Sequence, residues 1–208
     1  MLQKQTVEPN TFLVLKKIMQ IPALNSFYLV GGTCLSLRYG HRSSVDLDFF
    51  SVADFENEKL NTILAKAGLQ FSYNNIQNPI GLFGYIDNVK IDFVKHHHFK
   101  QIDNPVIEDG IRMFGDKDIM AMKIFAILQR AQKKDFWDLA ELFGHYSFEE
   151  CINAYYEKYP GNQMLISIPY AVTYFADAEE SANPMSLKGQ TWPSVKKIIQ
   201  QKVADYLK

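Results

Sequence analysis

The chain has little cysteine, almost no net charge and no long apolar run, and each shortage narrows its class. Two cysteines in 208 residues, Cys34 and Cys151, are too few for a disulfide framework and are not spaced as a metal knuckle, which fits a reducing, cytoplasmic setting. A formal net charge of -1 gives no overall basic field, so any contact with RNA has to use a local patch. The N-terminal stretch MLQKQTVEPNTFLVLKKIMQ lacks the basic start, sustained apolar segment and small-residue cleavage site of a secretory signal. No run elsewhere is long enough to span a bilayer, so no membrane partner is expected. Repeats and low-complexity tracts are missing too. What is present is a 47% apolar composition, enough to bury a full core, either as one domain or as a core with a helical appendage.

The periodicity changes character along the chain. Up to residue 95 it alternates element types: a helix over 12–20, a strand over 27–30, a helix over 33–39 closed by Gly40, and a strand carrying Asp46 and Asp48. A helix over 55–67 stopped by Gly68 follows, then strands near 69–73, 80–86 and 89–95, the last two joined by a tight Asp87-Asn88 turn. After residue 116 the pattern is helical, over 118–132, 135–143, 148–158, 164–176 and 193–207. Ser147 with Glu150 forms a capping-box signature, and Pro193 suits the first turn of the last helix. The expected class is α+β: a core with a mixed sheet flanked by helices over 1–115, then a helical region over 116–208. The tyrosines of that region, Tyr155, Tyr156, Tyr159, Tyr170, Tyr174 and Tyr206, read first as packing groups.

The most informative stretch is YLVGGTCLSLRYGHRSSVDLDFF, residues 28–50. Gly31 and Gly32 end an apolar run and open a helix, where backbone amides can approach phosphate oxygens. On a strand, Asp46 and Asp48 face one side, while Val45, Leu47 and Phe49 face the other. Two like charges that close call for a cation, and hard oxygen donors without His or Cys suit Mg²⁺ or Mn²⁺. A Gly-Gly alone marks only a tight turn, and an Asp-x-Asp alone is common in exposed turns. At this separation, with Arg42 and Ser44 between them, they read as a nucleotide-handling metal site.

This segment resembles the first motif of the DNA polymerase-β-like nucleotidyltransferase superfamily. Gly31 through Phe50 is similar, in particular, to the AbiEii/AbiGii toxin family. The resemblance implies a third carboxylate on a later strand, and Asp92 in Val89-Lys90-Ile91-Asp92-Phe93-Val94 supplies it. It implies that Asp46, Asp48 and Asp92 hold the metal, and that Gly31, Gly32, Thr33, Arg42 and Ser44 line the phosphates. Many superfamily members have Gly-Ser where this chain has Gly-Gly-Thr, and Thr33 offers its hydroxyl one position later. The block over 118–142 resembles the family's downstream helical motif and implies roles for Lys123, Arg130 and Asp135. Lys123, Ile127, Arg130 and Lys134 fall at spacings that share one face if the helix continues, the ordinary reading of which is a solvated face. Asp135 and Asp138, one turn apart, cap the next helix or orient those cations, with the family's role carried to Asp135.

By resemblance the activity is transfer of a nucleoside monophosphate from an NTP such as ATP to an acceptor, with tRNA or another cellular molecule as target. The biological role implied is the toxin of a toxin–antitoxin or abortive-infection pair, with a cognate antitoxin as partner. A small-molecule nucleotidyltransferase and a non-catalytic nucleotide-binding module are the alternatives. A phosphohydrolase fits poorly, because Phe49-Phe50 follows the second Asp, and a glycosyltransferase leaves Gly31, Gly32 and Asp92 without a task. For His96-His97-His98, a solvated strand end or a basic rim is expected, since neighbouring strand residues point apart and no third soft ligand is near.

Overall fold

A computed structural model describes residues 1–161 and 166–208 of the chain. Strands β1 (Phe27–Val30), β2 (Leu47–Ser51), β3 (Ser72–Tyr73), β4 (Gly81–Ile86), β5 (Val89–Lys95), β6 (Val106–Glu108) and β7 (Ile111–Met113) make one mixed sheet, ordered β3-β4-β5-β2-β1-β7-β6. β2 runs parallel to β5 and β1 parallel to β7, while the other pairs are antiparallel. Helices α1 (Pro9–Met19), α2 (Gly31–Tyr39) and α3 (Asn57–Lys66) are interleaved with the strands. Helices α4 (Asp116–Arg130), α5 (Lys133–Leu142), α6 (Phe148–Lys158), α7 (Ile168–Thr173) and α8 (Trp192–Tyr206) follow them. The class is α+β.

Alternation on the two central strands creates two unlike faces. Leu47, Phe49, Ile91 and Phe93 are buried on one side, where they join a core that runs from Leu2 to Val203 and includes residues of both halves. Asp48, Phe50, Asp92 and Val94 take the other side and are only half-buried. Over the second half, α4 packs against α5, α6 and α7, and α5 packs against α2 and α8.

Most expected elements form, with shifts that have local causes. Helix α1 begins at Pro9, a residue pre-set for a first turn. Helix α2 includes both glycines. The strand expected over 69–73 keeps only Ser72–Tyr73, and the helix expected over 164–176 becomes α7 followed by a short 3-10 turn, Ala176–Ala178. Residues 164 and 165 of that expectation lie outside the described residues. The hairpin β6–β7 was not foreseen, although Asp109-Gly110 at its tip, both with positive φ, is a hairpin dipeptide. The capping box expected at Ser147 forms, Pro193 lies in the first turn of α8 as expected, and a second capping box, at Thr191, was not anticipated. The packing role expected of the tyrosines holds for buried Tyr155 and Tyr159, whereas Tyr156, Tyr170, Tyr174 and Tyr206 are exposed.

Candidate active site

The parallel pairing of β2 with β5 sets Asp48 opposite Asp92 and Phe50 opposite Val94. Asp46 sits just before β2, so it stands at the start of the strand rather than within it. All three carboxylates line one cavity of about 690 Å³, within the range typical of small-molecule sites. The cavity is also lined by Lys123, Arg130 and Lys134 of the helical half and by a strap over residues 182–185.

Gly31 and Gly32 explain themselves by what they leave room for. Gly31 has φ +70, and a Cβ there would lie 2.5 Å from Asp48 Oδ2. At Gly32 a Cβ would lie 2.1 Å from Arg42 Nη2. The pair therefore admits a carboxylate and a guanidinium against the backbone, and both glycines line the cavity. Burial, and next the charge of Asp92, push the Asp48 carboxyl above the usual carboxylate range. Asp92 accepts from Lys90 Nζ at 3.0 Å through Oδ2, while its Oδ1 is buried without a partner among the described residues.

Behind this wall lies a buried ion network whose hub is Asp138. Its Oδ1 accepts from Arg42 Nε at 2.6 Å and lies 2.7 Å from His41 Nε2; its Oδ2 accepts from Arg42 Nη2 at 2.8 Å and meets Lys123 Nζ at 2.6 Å. Lys123 Nζ also lies 3.2 Å from Asp135 Oδ1, and Arg130 grips Asp135 with Nε and Nη2 at 2.9 and 3.0 Å. Burial alone would raise the Asp138 carboxyl; the charges of Arg42 and Lys123 and the bond from His41 outweigh it and hold the group well below its usual range. Burial alone would likewise neutralise Lys123, yet Asp138 and Asp135 hold its ammonium above the usual value. Three cations face two carboxylates here, so one positive charge is left over beside the cavity.

Several sequence expectations are corrected by these contacts. Thr33 does not line the cavity: it is 1% exposed, its hydroxyl donates to the Asp46 carbonyl, and it lies 2.8 Å from Ser44 Oγ. It braces the segment that carries Asp46. Arg42 lines the cavity, but its nitrogens are committed to Asp138 and to the Ser43 carbonyl, so it braces rather than grips. Asp135 does not line the cavity: it is fully buried and accepts from Lys123 and Arg130, which it orients. The cation stripe is broken, because α4 ends at Arg130 and Ala131 turns left-handed with φ 44; Lys134 reaches the cavity from α5 instead.

Residues 13–191 match the family described as nucleotidyl transferase AbiEii toxin of type IV toxin–antitoxin systems. The chain belongs to the AbiEii nucleotidyltransferase toxin family. An uncharacterised relative from Aquifex aeolicus, aq_aa25, is 32% identical over 204 residues, covering 93% of this chain and 94% of its own. Two solved structures share the fold at low identity. JHP933 of Helicobacter pylori has a TM-score of 0.59 at 15% identity, over 98% of this chain and 92% of its own. The nucleotidyltransferase toxin MenT4 of Mycobacterium tuberculosis has a TM-score of 0.58 at 11% identity, over 92% and 81%. The AbiEii match extends past residue 142, where the recognisable motifs end, and takes in the strap. That strap closes on the site through Ser43 N to the Met185 carbonyl and Leu187 N to the His41 carbonyl, both at 2.9 Å. Sequence reasoning missed it, since an irregular segment has no period. The hub role of Asp138 was also missed, although its one-turn spacing from Asp135 was visible.

An AbiEii-type nucleotidyltransferase implies an NTP substrate and, typically, a divalent metal. Among the described residues, no three His, Cys, Asp or Glu side chains converge into a ready-made cage. The donors fit a hard cation nonetheless. Mg²⁺ takes one or two protein carboxylates and fills its remaining positions with water and substrate phosphate, and here a carboxylate with raised affinity for protons faces one with an unpartnered buried oxygen.

Proposed function

We propose that the cavity is the NTP site of a metal-dependent nucleotidyltransferase, with Asp46, Asp48 and Asp92 as the residues that hold Mg²⁺ or Mn²⁺. The observation that carries this reading is the register of Asp48 against Asp92, in a cavity that Lys123 and Arg130 also line. The bound metal would neutralise the triphosphate and ease departure of the pyrophosphate. Lys123 and Arg130, oriented by Asp135 and Asp138, meet the charge that develops on the leaving group, and the half-exposed Arg130 and Lys134, which has no ion pair among the described residues, are the cations best placed to follow it. Gly31, Gly32 and Ser44 bring backbone and hydroxyl to the phosphates. In the transfer, an acceptor hydroxyl oxygen bonds to the α-phosphorus as the bond to the bridging oxygen of the β-phosphate breaks; the unpartnered Oδ1 of Asp92 is the acceptor for the hydroxyl proton.

In this reading residues 1–115 form the nucleotidyltransferase core, and residues 116–208 supply the cationic wall and the strap. The acceptor is RNA, with tRNA as the first candidate, and the protein is the toxin of a pair, held in check by an antitoxin. Support comes from family membership. The test is growth: in a bacterial host the wild type expressed alone slows growth, and Asp48→Ala does not. Equal toxicity from the two would overturn the catalytic account of the harm, and no effect at high expression would favour a small-molecule nucleotidyltransferase.

A further inference from the structure

The cavity has a second end, built of rings. On the face of β2 that carries Asp48, the next side chain is Phe50. On β5, Asp92 is followed by Val94 and, one residue past the strand, by His96. At about 3.3 Å per residue, the four steps from Asp92 to His96 cover about 13 Å, so the two parallel strands run from carboxylates to rings over the length of one nucleotide. His96 lies between Phe50 and Phe99, with ring centroids 4.7 and 4.9 Å away, and Tyr159 links Phe99 to Phe125 at 5.3 and 5.0 Å. All of these line the cavity. The cation that lines this stretch, Lys95, is drawn towards Asp54 at 3.7 Å.

His96 is neither solvated nor basic, contrary to the sequence expectation. It is 3% exposed, and its Nε2 is buried without a hydrogen-bond partner among the described residues. Burial, with the charge of Lys158 behind it, pushes its pKa down to about 3, so the ring is neutral and carries one donor and one acceptor. Buried polar atoms without partners are uncommon, and one at the wall of a substrate cavity has a natural occupant in the edge of a ligand.

We infer that the ring-lined end is the nucleobase subsite: the base lies against Phe99 and its neighbouring rings, and His96 is the polar group that distinguishes one base from another. This rests on the NTP reading of the carboxylate end, because it uses the distance from those carboxylates. Stacking tolerates every base, whereas one neutral hydrogen bond discriminates by up to about tenfold. The subsite therefore gives a general affinity for nucleotides with a modest preference set by His96.

Calorimetry on the full chain with Mg²⁺ tests this, using ATP, GTP, CTP, UTP and inorganic tripolyphosphate as probes. Phe99 is 46% exposed, so Phe99→Ala keeps the fold, which its unfolding midpoint verifies. The variant should bind all of the NTPs about tenfold more weakly and tripolyphosphate as tightly as the wild type does. His96→Phe should leave tripolyphosphate unchanged and shrink the differences among the NTPs to under about twofold. NTP affinity unchanged in Phe99→Ala, or an equal loss for tripolyphosphate, overturns the base subsite while leaving the carboxylate end standing. Failure of the wild type to bind any NTP would instead remove the functional reading beneath it.

Discussion

Gly31 shows how a single residue can couple backbone to chemistry. Its left-handed φ costs a non-glycine residue about 1–2 kcal/mol, and its missing Cβ is what lets Asp48 lie against the turn. Gly31→Ala is expected to lower stability by about that amount and to lower nucleotidyl transfer by about a hundredfold, since a displaced carboxylate misplaces the reacting groups; thermal unfolding and transfer assays on one preparation separate the two effects. Asp48 gives a second test. Its folded pKa lies above the unfolded value, so stability falls as pH rises through that interval, and the ionised form is a net cost to the fold. Asp48→Asn should raise the unfolding midpoint in a chelator, and Mg²⁺ should raise that of the wild type but not of the variant. These carboxylates were legible in the sequence because strand alternation has a strict period of two. The roles of Thr33 and Arg42 were not, because whether a side chain turns to the cavity or to a buried partner depends on elements distant in sequence, such as α5.

Between α4 and α5 the chain breaks at Ala131, and the break is what folds Asp135 and Asp138 back onto Lys123. A continuous helix would have carried them away. Removing the hub by Asp138→Ala leaves Arg42 and Lys123 without their shared partner, an uncompensated buried charge that costs about 3–5 kcal/mol, read by denaturant unfolding. The same carboxylate makes a pH prediction of definite sign. Its pKa is depressed in the fold, so its contribution is present above the usual carboxylate range and is lost as pH falls through the depressed value. The wild type should lose stability on acidification, and Asp138→Ala should show a shallower loss over the same interval; equal slopes would contradict the hub. Helix α4 was legible from periodicity, and its extension to Lys134 was the one step that periodicity could not check. The β6–β7 hairpin carried its signal in Asp109-Gly110, but strands of three residues are too short to show alternation.

Across the whole molecule, one buried cluster joins sheet and helices, and the cavity takes one wall from each half of the chain. Residues 1–115 alone hold the carboxylates without Lys123, Arg130 or the strap, so that fragment is expected to lose NTP binding in calorimetry even where circular dichroism shows it folded. The change in periodicity near residue 116 marked where strands give way to helices, and the family resemblance implied that those helices face the site; the strap over 182–185 was not legible, since it is ordered by backbone bonds to His41 and Ser43 rather than by a pattern of its own. All of this converges on one claim, that the cavity transfers a nucleoside monophosphate. The direct measurement incubates the protein with Mg²⁺, cellular RNA and each NTP labelled at its α-phosphate, beside Asp48→Asn. The account predicts label on RNA with the wild type, abolished by chelator and at background in the variant. No labelled product from any NTP, or equal labelling by Asp48→Asn, would contradict it.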